Sequence, residues 1–407
     1  MSIKAVLISS GRVLVPPLQG GGVEEYVFRL ARHMRDFGID TLIIDTSLGD
    51  SEYVSTVSNT PILRISSRRI TNLPKSEIIN EMLFGLSVAR KMREMTDVNV
   101  YHLNSAFNSF IITKVASRKG NETIIIYTCH NSFWPEETVH VNERVVRWVE
   151  QQIMRSVDAV IVFNNVMKKS LIERAGIPAE KIFIIPNGTD TNYFRPDVQS
   201  QEIHNLYNIN NENIILYVGR VTWIKGVHIL IKAFEFLINK GYKDIALMIT
   251  GPLSESYNDR GISKYAYELM EYTRRKLPDK SVIFTGSIPR KLLREVYAGS
   301  YTLVLPSFAE AFGMVLVEAM SSGKPVIGSK VGGIPEIIQD GVNGFTFMPG
   351  SVLDLSRKIE LLLNDKVLAR NLGLNARKIA VEKYDWSVIA KKVSTLYNLL
   401  IIGKSRV

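Results

Sequence analysis

At 407 residues the chain is too long for one ordinary hydrophobic core, so two domains of about 200 residues each are expected. A hydrophobic content of 46% with 22% charged residues is that of a folded globular protein and excludes a largely disordered one. The single cysteine, Cys129, excludes an intramolecular disulfide framework and suits a reducing compartment, and no apolar run approaches the ~20 residues of a membrane-spanning helix.

The formal charge of +10 asks for an acidic partner. Most of the excess lies beyond residue 190 and is spread through helical stretches rather than gathered with interleaved aromatics, which argues against nucleic acid. A nucleotide diphosphate or an anionic lipid surface would use it equally well. Met1-Ser-Ile-Lys runs into an apolar stretch and not a signal peptide, so a cytoplasmic protein is expected, at most resting on the cytosolic face of a membrane.

Ile3 to Ser9 is an apolar run of the kind that becomes a central parallel strand. Pro16-Pro17-Leu18-Gln19-Gly20-Gly21-Gly22 follows, then an amphipathic helix from Val23 to Phe37 closed by Gly38. Glycines ahead of a helix let the backbone approach a ligand, and the helix end attracts anions; a flexible connector reads the same. The spacing is neither that of a P-loop nor G-x-G-x-x-G. Strand and helix patterns then alternate: Asp40 to Asp45, the helix Ser76 to Met95, Val98 to Leu103, the helix Ala106 to Lys119, and Thr123 to Tyr127. A long helix from Val141 to Arg155, the strand Ala159 to Phe163, the helix Asn164 to Ala175 and the strand Ile182 to Ile185 complete a doubly wound parallel sheet over residues 1–190.

After the turn Pro186-Asn187-Gly188-Thr189-Asp190, the polar, Asn-rich stretch from Pro196 to Asn213 predicts a linker over 191–212. A second alternation fills 213–383. It runs through the strand Ile214 to Val218, the helix Lys225 to Asn239, the strand Ile245 to Thr250, the helix Ser263 to Leu277, the strand Val282 to Thr285 and the helix Arg290 to Ala298. Tyr301 to Leu305, a helix starting near Gly313, Val326 to Ser329, a turn from Val331 to Pro335 and Phe345 to Phe347 finish its sheet. The helices Val352 to Asn364, Lys366 to Glu382 and Trp386 to Ile401 close the chain.

The chemistry gathers in the stretch from Tyr301 to Gly323. Strand, tight turn and helix in that order put backbone N–H groups at a helix N-terminus beside two carboxylates, Glu310 and Glu318. Eight helical residues would set the two about 12 Å apart and near one face. That suits a phosphorylated sugar; a solvated Glu at a helix start and a second on an exposed helix edge read equally well. Arg220 follows a buried strand and Lys225 sits five residues on, at the sheet edge where α/β sheets bind ligands. A lysine in a first helical turn opposes the helix dipole, so a phosphate is the natural reason for it. His130 ends another strand and could donate a hydrogen bond or move a proton, although most lone histidines are surface or satisfied core groups.

Glu310-Ala-Phe-Gly-Met-Val-Leu-Val-Glu318 is similar to the E-x7-E motif of the retaining GT-B glycosyltransferases of family four, and Gly219-Arg-Val-Thr-Trp-Ile-Lys-Gly226 resembles the Arg and Lys with which they grip a donor diphosphate. The resemblance covers nearly the whole chain. It implies two Rossmann-like domains facing each other across a cleft, with the last helix, 384–407, returning to the N-terminal domain. It also implies transfer of a hexose from a nucleotide-diphosphate sugar to a hydroxyl of a glycan, glycolipid or lipid-linked oligosaccharide. By the same resemblance Glu310 and the amides of Phe312, Gly313, Met314 and Val315 hold the sugar and phosphate, Glu318 the ribose, and His130 lies near the reaction centre. Gly21 and Gly22 approach the donor diphosphate and acceptor, and Gly251 and Ile288 sit near the base. The family often has Asp after its cleft His, and here Asn131 stands there. Gly332-Gly333-Ile334-Pro335-Glu336 and Asp340-Gly-Val-Asn-Gly344 are similar to two further family segments and read as backbone supports.

No Asp-x-Asp pair sits at a strand end and no His/Cys cluster has metal spacing, so no metal and no cofactor are expected. No carboxylate stands out as a nucleophile, and a front-face route assisted by the leaving phosphate is the expectation. The acceptor side is poorly encoded. Arg64, Arg68, Arg69 and Lys75 precede a helix with an apolar stripe, Ile78, Ile79, Met82, Leu83 and Leu86, and a basic end, Arg90, Lys91 and Arg93. This is either a surface resting on anionic lipid or a core-packed helix with a wet face, the commoner case. Two rival functions remain: a GT-B nucleotide-sugar epimerase, and a non-enzymatic basic protein binding membrane or nucleic acid.

Overall fold

A computed structural model describes residues 3–17, 21–47, 49, 51–67, 70, 76–116, 123–130, 141–209, 213–254 and 261–404. The chain divides into two units, Met1–Asn187 with Trp386–Val407, and Gly188–Asp385.

The first unit runs β1 (Ile3–Ile8), α1 (Gly22–Met34), β2 (Ile39–Thr46), β3 (Tyr53–Val57), β4 (Thr60–Ile65), α2 (Ser76–Glu94), β5 (Val100–Leu103) and α3 (Ala106–Ala116). It continues β6 (Ile124–Thr128), α4 (Val141–Ser156), β7 (Ala159–Val162), α5 (Asn165–Ala175) and β8 (Ile182–Ile184). The strands form one sheet in the order β3-β4-β2-β1-β5-β6-β7-β8. All neighbours are parallel except the β3–β4 pair. Strands covered on both faces read as unbroken apolar runs, and Ala5 through Ile8 and Ala159 through Val162 are fully buried.

The second unit runs α6 (Gln201–Tyr207), β9 (Asn213–Val218), α7 (Val227–Asn239), β10 (Ile245–Thr250), α8 (Lys264–Lys276), β11 (Val282–Gly286), α9 (Arg290–Gly299) and β12 (Thr302–Leu305). Then come α10 (Met314–Ser321), β13 (Val326–Ser329), α11 (Ile334–Ile337), β14 (Gly344–Phe347), α12 (Val352–Asn364) and α13 (Lys366–Ile379). Its sheet is parallel throughout, in the order β11-β10-β9-β12-β13-β14. Side-chain caps start several helices: Ser263 accepts from the Ala266 amide at 3.1 Å, Ser351 from Asp354 at 3.2 Å and Asp365 from Leu368 at 2.8 Å.

The last helix, α14 (Trp386–Lys404), belongs to the first unit and packs on α1. A buried polar chain fixes it there. The Tyr397 hydroxyl lies 2.7 Å from His102 Nδ1, His102 Nε2 lies 2.6 Å from Thr128 Oγ1, and Thr128 Oγ1 lies 3.4 Å from the Tyr26 hydroxyl. Burial pushes the His102 pKa down to about 3, so the ring stays neutral and mediates the chain as donor and acceptor.

Four sequence expectations need correction. The stretch 191–212 is not a linker but part of the second unit, where α6 buries Ile203 against α9; positions 210–212 lie outside the described residues. Strands β3 and β4 lie between β2 and α2, a stretch for which the sequence pattern predicts no strand. Arg64 is no surface cation: it sits buried on β4, ion-paired with buried Asp45 and donating to the Val15 carbonyl. The core face of α2 is Glu81, Phe84, Gly85, Val88, Ala89 and Met92, which leaves the stripe from Ile78 to Leu86 half-buried or exposed. Positions 68, 69 and 75 lie outside the described residues.

Candidate active site

In the second sheet the strand order reverses at β9, with β10 and β11 to one side and β12, β13 and β14 to the other. The loops leaving β9 and β12 therefore diverge at their C-terminal ends, and such a switch point is where open α/β sheets take ligands.

The first of these loops carries Arg220 and Lys225. Tyr217 Oη donates to the Arg220 carbonyl at 2.7 Å, and the chain then tightens into a single 3-10 turn, Trp223–Lys225. Lys225 thus precedes α7 and does not occupy its first turn, so the dipole conflict read from the sequence does not arise. The reason for Lys225 is found on the second loop. Its Nζ lies 2.7 Å from Glu310 Oε2, with the two side chains 21% and 15% exposed. Glu310 in turn lies ahead of the helix, so the spacing of eight helical residues to Glu318 does not hold: α10 begins at Met314.

Gly313 caps α10 in the left-handed conformation (φ 101°) and offers no side chain to the first-turn amides of Met314 and Val315. Such an end favours an anion. Phe312 is buried, its ring edge-on to Tyr384 at 5.9 Å. Glu318 is half-buried and accepts a hydrogen bond from Tyr297 Oη at 2.6 Å. Burial and the Glu318 charge push the Tyr297 pKa well above its ordinary value, so the phenol stays a donor and fixes the carboxylate. Sequence reasoning missed Tyr297, because nothing in the pattern of α9 separates it from a core aromatic.

Gly251, after β10, has φ 134° and presses so closely on the Gly219 carbonyl that a Cβ would lie 2.2 Å from its oxygen. Ile288 is half-buried in the turn between β11 and α9. Behind Glu310 the Gly332-Gly333 pair packs on its backbone: the Gly333 amide lies 3.3 Å from the Glu310 carbonyl oxygen, and a Cβ on Gly332 (φ +50°) would lie 1.8 Å from that oxygen. Gly332→Ala should therefore lower the unfolding free energy by more than the ~1–2 kcal/mol of a left-handed non-glycine residue. Gly341→Ala, with φ +74° and open space around it, should cost only that backbone component. Equal midpoints for the two variants would remove the close packing as the reason for Gly332.

In the first unit Gly21 is the left-handed N-cap of α1 (φ 80°) and Gly22 is the first helical residue, with open space around it; Leu18, Gln19 and Gly20 lie outside the described residues. His130 follows β6, half-buried and edge-on to Tyr26 at 4.9 Å and Phe163 at 5.3 Å. Asn104 spends its amide on the Ile8 and His102 carbonyls, so its Oδ1 accepts from His130 Nε2 at 3.4 Å, which leaves Nδ1 as the ring acceptor. Burial holds the His130 pKa down at about 3 and the ring neutral. Asn131 lies outside the described residues. Arg220, Lys225, Gly251, Ile288, Glu310, Phe312–Val315 and Glu318 thus all belong to the second unit, where Lys225 and Glu310 are in direct contact, while Gly21, Gly22 and His130 belong to the first. Among the described residues no group of three His, Cys, Asp or Glu is placed to hold a metal ion, and no helix is long and apolar enough to cross a membrane.

Two doubly wound parallel-sheet units, the second with cation, carboxylates and bare helix end at its switch point, define the GT-B class. Residues 199–379 match the family model "Glycosyl transferases group 1" and residues 20–193 match "Glycosyltransferase Family 4". The two models between them span most of the chain, which belongs to this glycosyltransferase family. The chain is 32% identical to the sulfoquinovosyl transferase SQD2 of Arabidopsis thaliana over 244 residues, 59% of this chain and 44% of that protein. Matches to the first curated relatives span 44% to 64% of their lengths. Among solved structures, the sucrose-phosphate synthase of Thermosynechococcus elongatus superposes with a TM-score of 0.81 at 21% identity, covering 98% of this chain and 100% of that one. Anabaena HepE in complex with UDP-glucose superposes with a TM-score of 0.75 at 22% identity, covering 97% and 99%. At these identities the structural likeness speaks for the fold.

Proposed function

We propose that the protein is a retaining glycosyltransferase that moves a hexose from a nucleotide-diphosphate sugar to a hydroxyl of a glycan, glycolipid or lipid-linked oligosaccharide. The observation that carries this reading is the Lys225–Glu310 pair beside the uncapped start of α10 at the switch point. In this reading Arg220 and Lys225 hold the diphosphate, the α10 amides meet phosphate and sugar, Glu310 accepts from sugar hydroxyls, and Glu318, braced by Tyr297, accepts from the ribose. Family membership and the UDP-glucose bound to HepE support a nucleotide-sugar donor.

The reaction breaks the bond between the anomeric carbon and the phosphate oxygen, whose electron pair stays with the nucleoside diphosphate. Fixed cations stabilise that charge without a metal ion. The acceptor oxygen adds on the face the phosphate leaves, so configuration is retained, and its proton passes to a departing phosphate oxygen. The half-exposed stripe of α2 with Arg90 and Arg93 supports a peripheral contact with anionic membrane.

A thermal-shift panel of nucleotide sugars tests the reading. One donor at 100 times its dissociation constant should stabilise the protein by about 2.7 kcal/mol, and a chelator should not reduce the shift. Absence of any donor shift would remove the proposal. Nucleoside diphosphate released only when acceptor is present separates transfer from epimerisation.

A further inference from the structure

The two loops that bear Lys225 and Glu310 are joined again two residues upstream of each. Trp223 and Phe308 stack with ring centres 4.8 Å apart and planes 8° apart, and the Phe308 amide donates to the Ile224 carbonyl at 2.8 Å. His228, in the first turn of α7, lies nearly parallel to both rings, 5.8 Å from Phe308 and 6.1 Å from Trp223. The Tyr265 hydroxyl accepts from the His228 backbone amide at 3.3 Å and sits 2.7 Å from its Nδ1. A hydroxyl placed so donates its own proton to Nδ1. The imidazole proton then sits on Nε2, where no described residue accepts it.

Packing does not explain Trp223. Indoles are on average highly buried, yet this one is 60% exposed while the stack fixes its orientation. A rigid, flat, apolar face with an N–H donor on the adjoining ring matches a pyranose, which shows C–H groups on a ring face and hydroxyls around its rim. Rigidity beforehand spares the ligand the cost of ordering the loop. A membrane would instead ask for several uncompensated Lys and Arg about the ring; the nearest lysine along the chain, Lys225, is paired with Glu310, and Lys232 near His228 is a single exposed cation.

We propose that the exposed face of Trp223 is a saccharide platform, on which a pyranose of the acceptor stacks while one of its hydroxyls accepts from His228 Nε2. This deepens the glycosyltransferase reading and rests on it: the acceptor is a sugar chain rather than a bare lipid alcohol.

Calorimetric titration of the full chain with maltotetraose, cellotetraose, mannotetraose and chitotetraose tests it. At least one should bind the wild type at millimolar concentration. Trp223→Ala should weaken that affinity by roughly tenfold, as expected for losing the apolar contact of one large aromatic face. Trp223→Phe should lie between. His228→Phe, which keeps a ring in the stack and removes the donor, should weaken it several-fold. Trp148→Ala, at an exposed indole of α4, is the control and should bind as the wild type does. Unchanged affinity in Trp223→Ala, an equal loss in Trp148→Ala, no tetrasaccharide binding to the wild type, or Trp223-dependent uptake by phosphatidylglycerol vesicles in its place would each overturn the platform. Melting curves establish that the variants fold. The nucleotide-sugar shift of the wild type is read separately, so a failed platform with a donor shift intact leaves the enzyme reading standing, and the converse result sinks the enzyme reading together with the acceptor role, leaving a saccharide-binding face.

Discussion

Lys225→Ala should lower kcat for sugar transfer by about 10²–10³, the usual consequence of removing one fixed donor from a site where negative charge develops. KM for the donor should rise far less, because in the proposed reaction the lysine is needed most when the phosphate takes up its electron pair. Geometry sharpens the expectation. Lys225 is held 2.7 Å from Glu310 before any substrate arrives, with both side chains mostly covered. The ammonium is thus preorganised, and its loss also leaves a largely buried carboxylate without its counter-charge. Glu310→Gln should therefore damage the enzyme too, and the double variant should be no worse than the poorer single one, as for groups acting as a unit. Lys225→Arg should not rescue, since a planar fork does not replace a point charge in this contact. Steady-state rates for the wild type and the four variants decide the matter. A kcat for Lys225→Ala within threefold of the wild type, with the fold intact by thermal melting, would take the lysine out of the chemistry.

The legible parts of the fold are those in which local pattern and tertiary environment agree. Strands β1, β9 and β10 announce themselves because burial on both faces demands unbroken apolar runs such as Ile245 to Thr250. Strand β3 was illegible because its edge position leaves Tyr53 and Val54 48% and 64% exposed, so its sequence carries no core pattern. The hairpin turn was hidden too: Ser58 and Asn59 both adopt positive φ without the glycine that usually announces such a turn. Helix α6 hid in polar sequence because only Ile203 among its residues reaches the core.

The site was legible to a similar degree and for a similar reason. Residues that the proposed function uses through their own charge, Lys225, Glu310 and Glu318, stand out from apolar neighbours. Residues that act by holding others do not: Tyr297 reads as one more core aromatic, and Trp223 and Phe308 as unremarked loop positions. The Lys225–Glu310 contact joins residues 85 positions apart and follows from the strand order β9-β12, which no local spacing encodes.

Glu318→Gln should nearly abolish donor-induced stabilisation while leaving the fold intact. A carboxylate accepting from ribose hydroxyls contributes about 1.5–3 kcal/mol per charge-assisted bond, so its loss should weaken the donor up to about a hundredfold. A donor first present at 100 times its dissociation constant would then be present at roughly that constant, and the stabilisation should fall from about 2.7 to about 0.4 kcal/mol. The fold should tolerate the change because the new amide oxygen can still accept from Tyr297 Oη, now 2.6 Å from the carboxylate. Tyr297→Phe should give a smaller loss of affinity, since it frees the carboxylate to rotate without removing it. The discriminating measurement compares the donor with its 2′-deoxy and 3′-deoxy counterparts. The wild type should distinguish them from the ribose form and Glu318→Gln should not, whereas a merely structural role for Glu318 predicts equal weakening of all three and an unchanged preference among them.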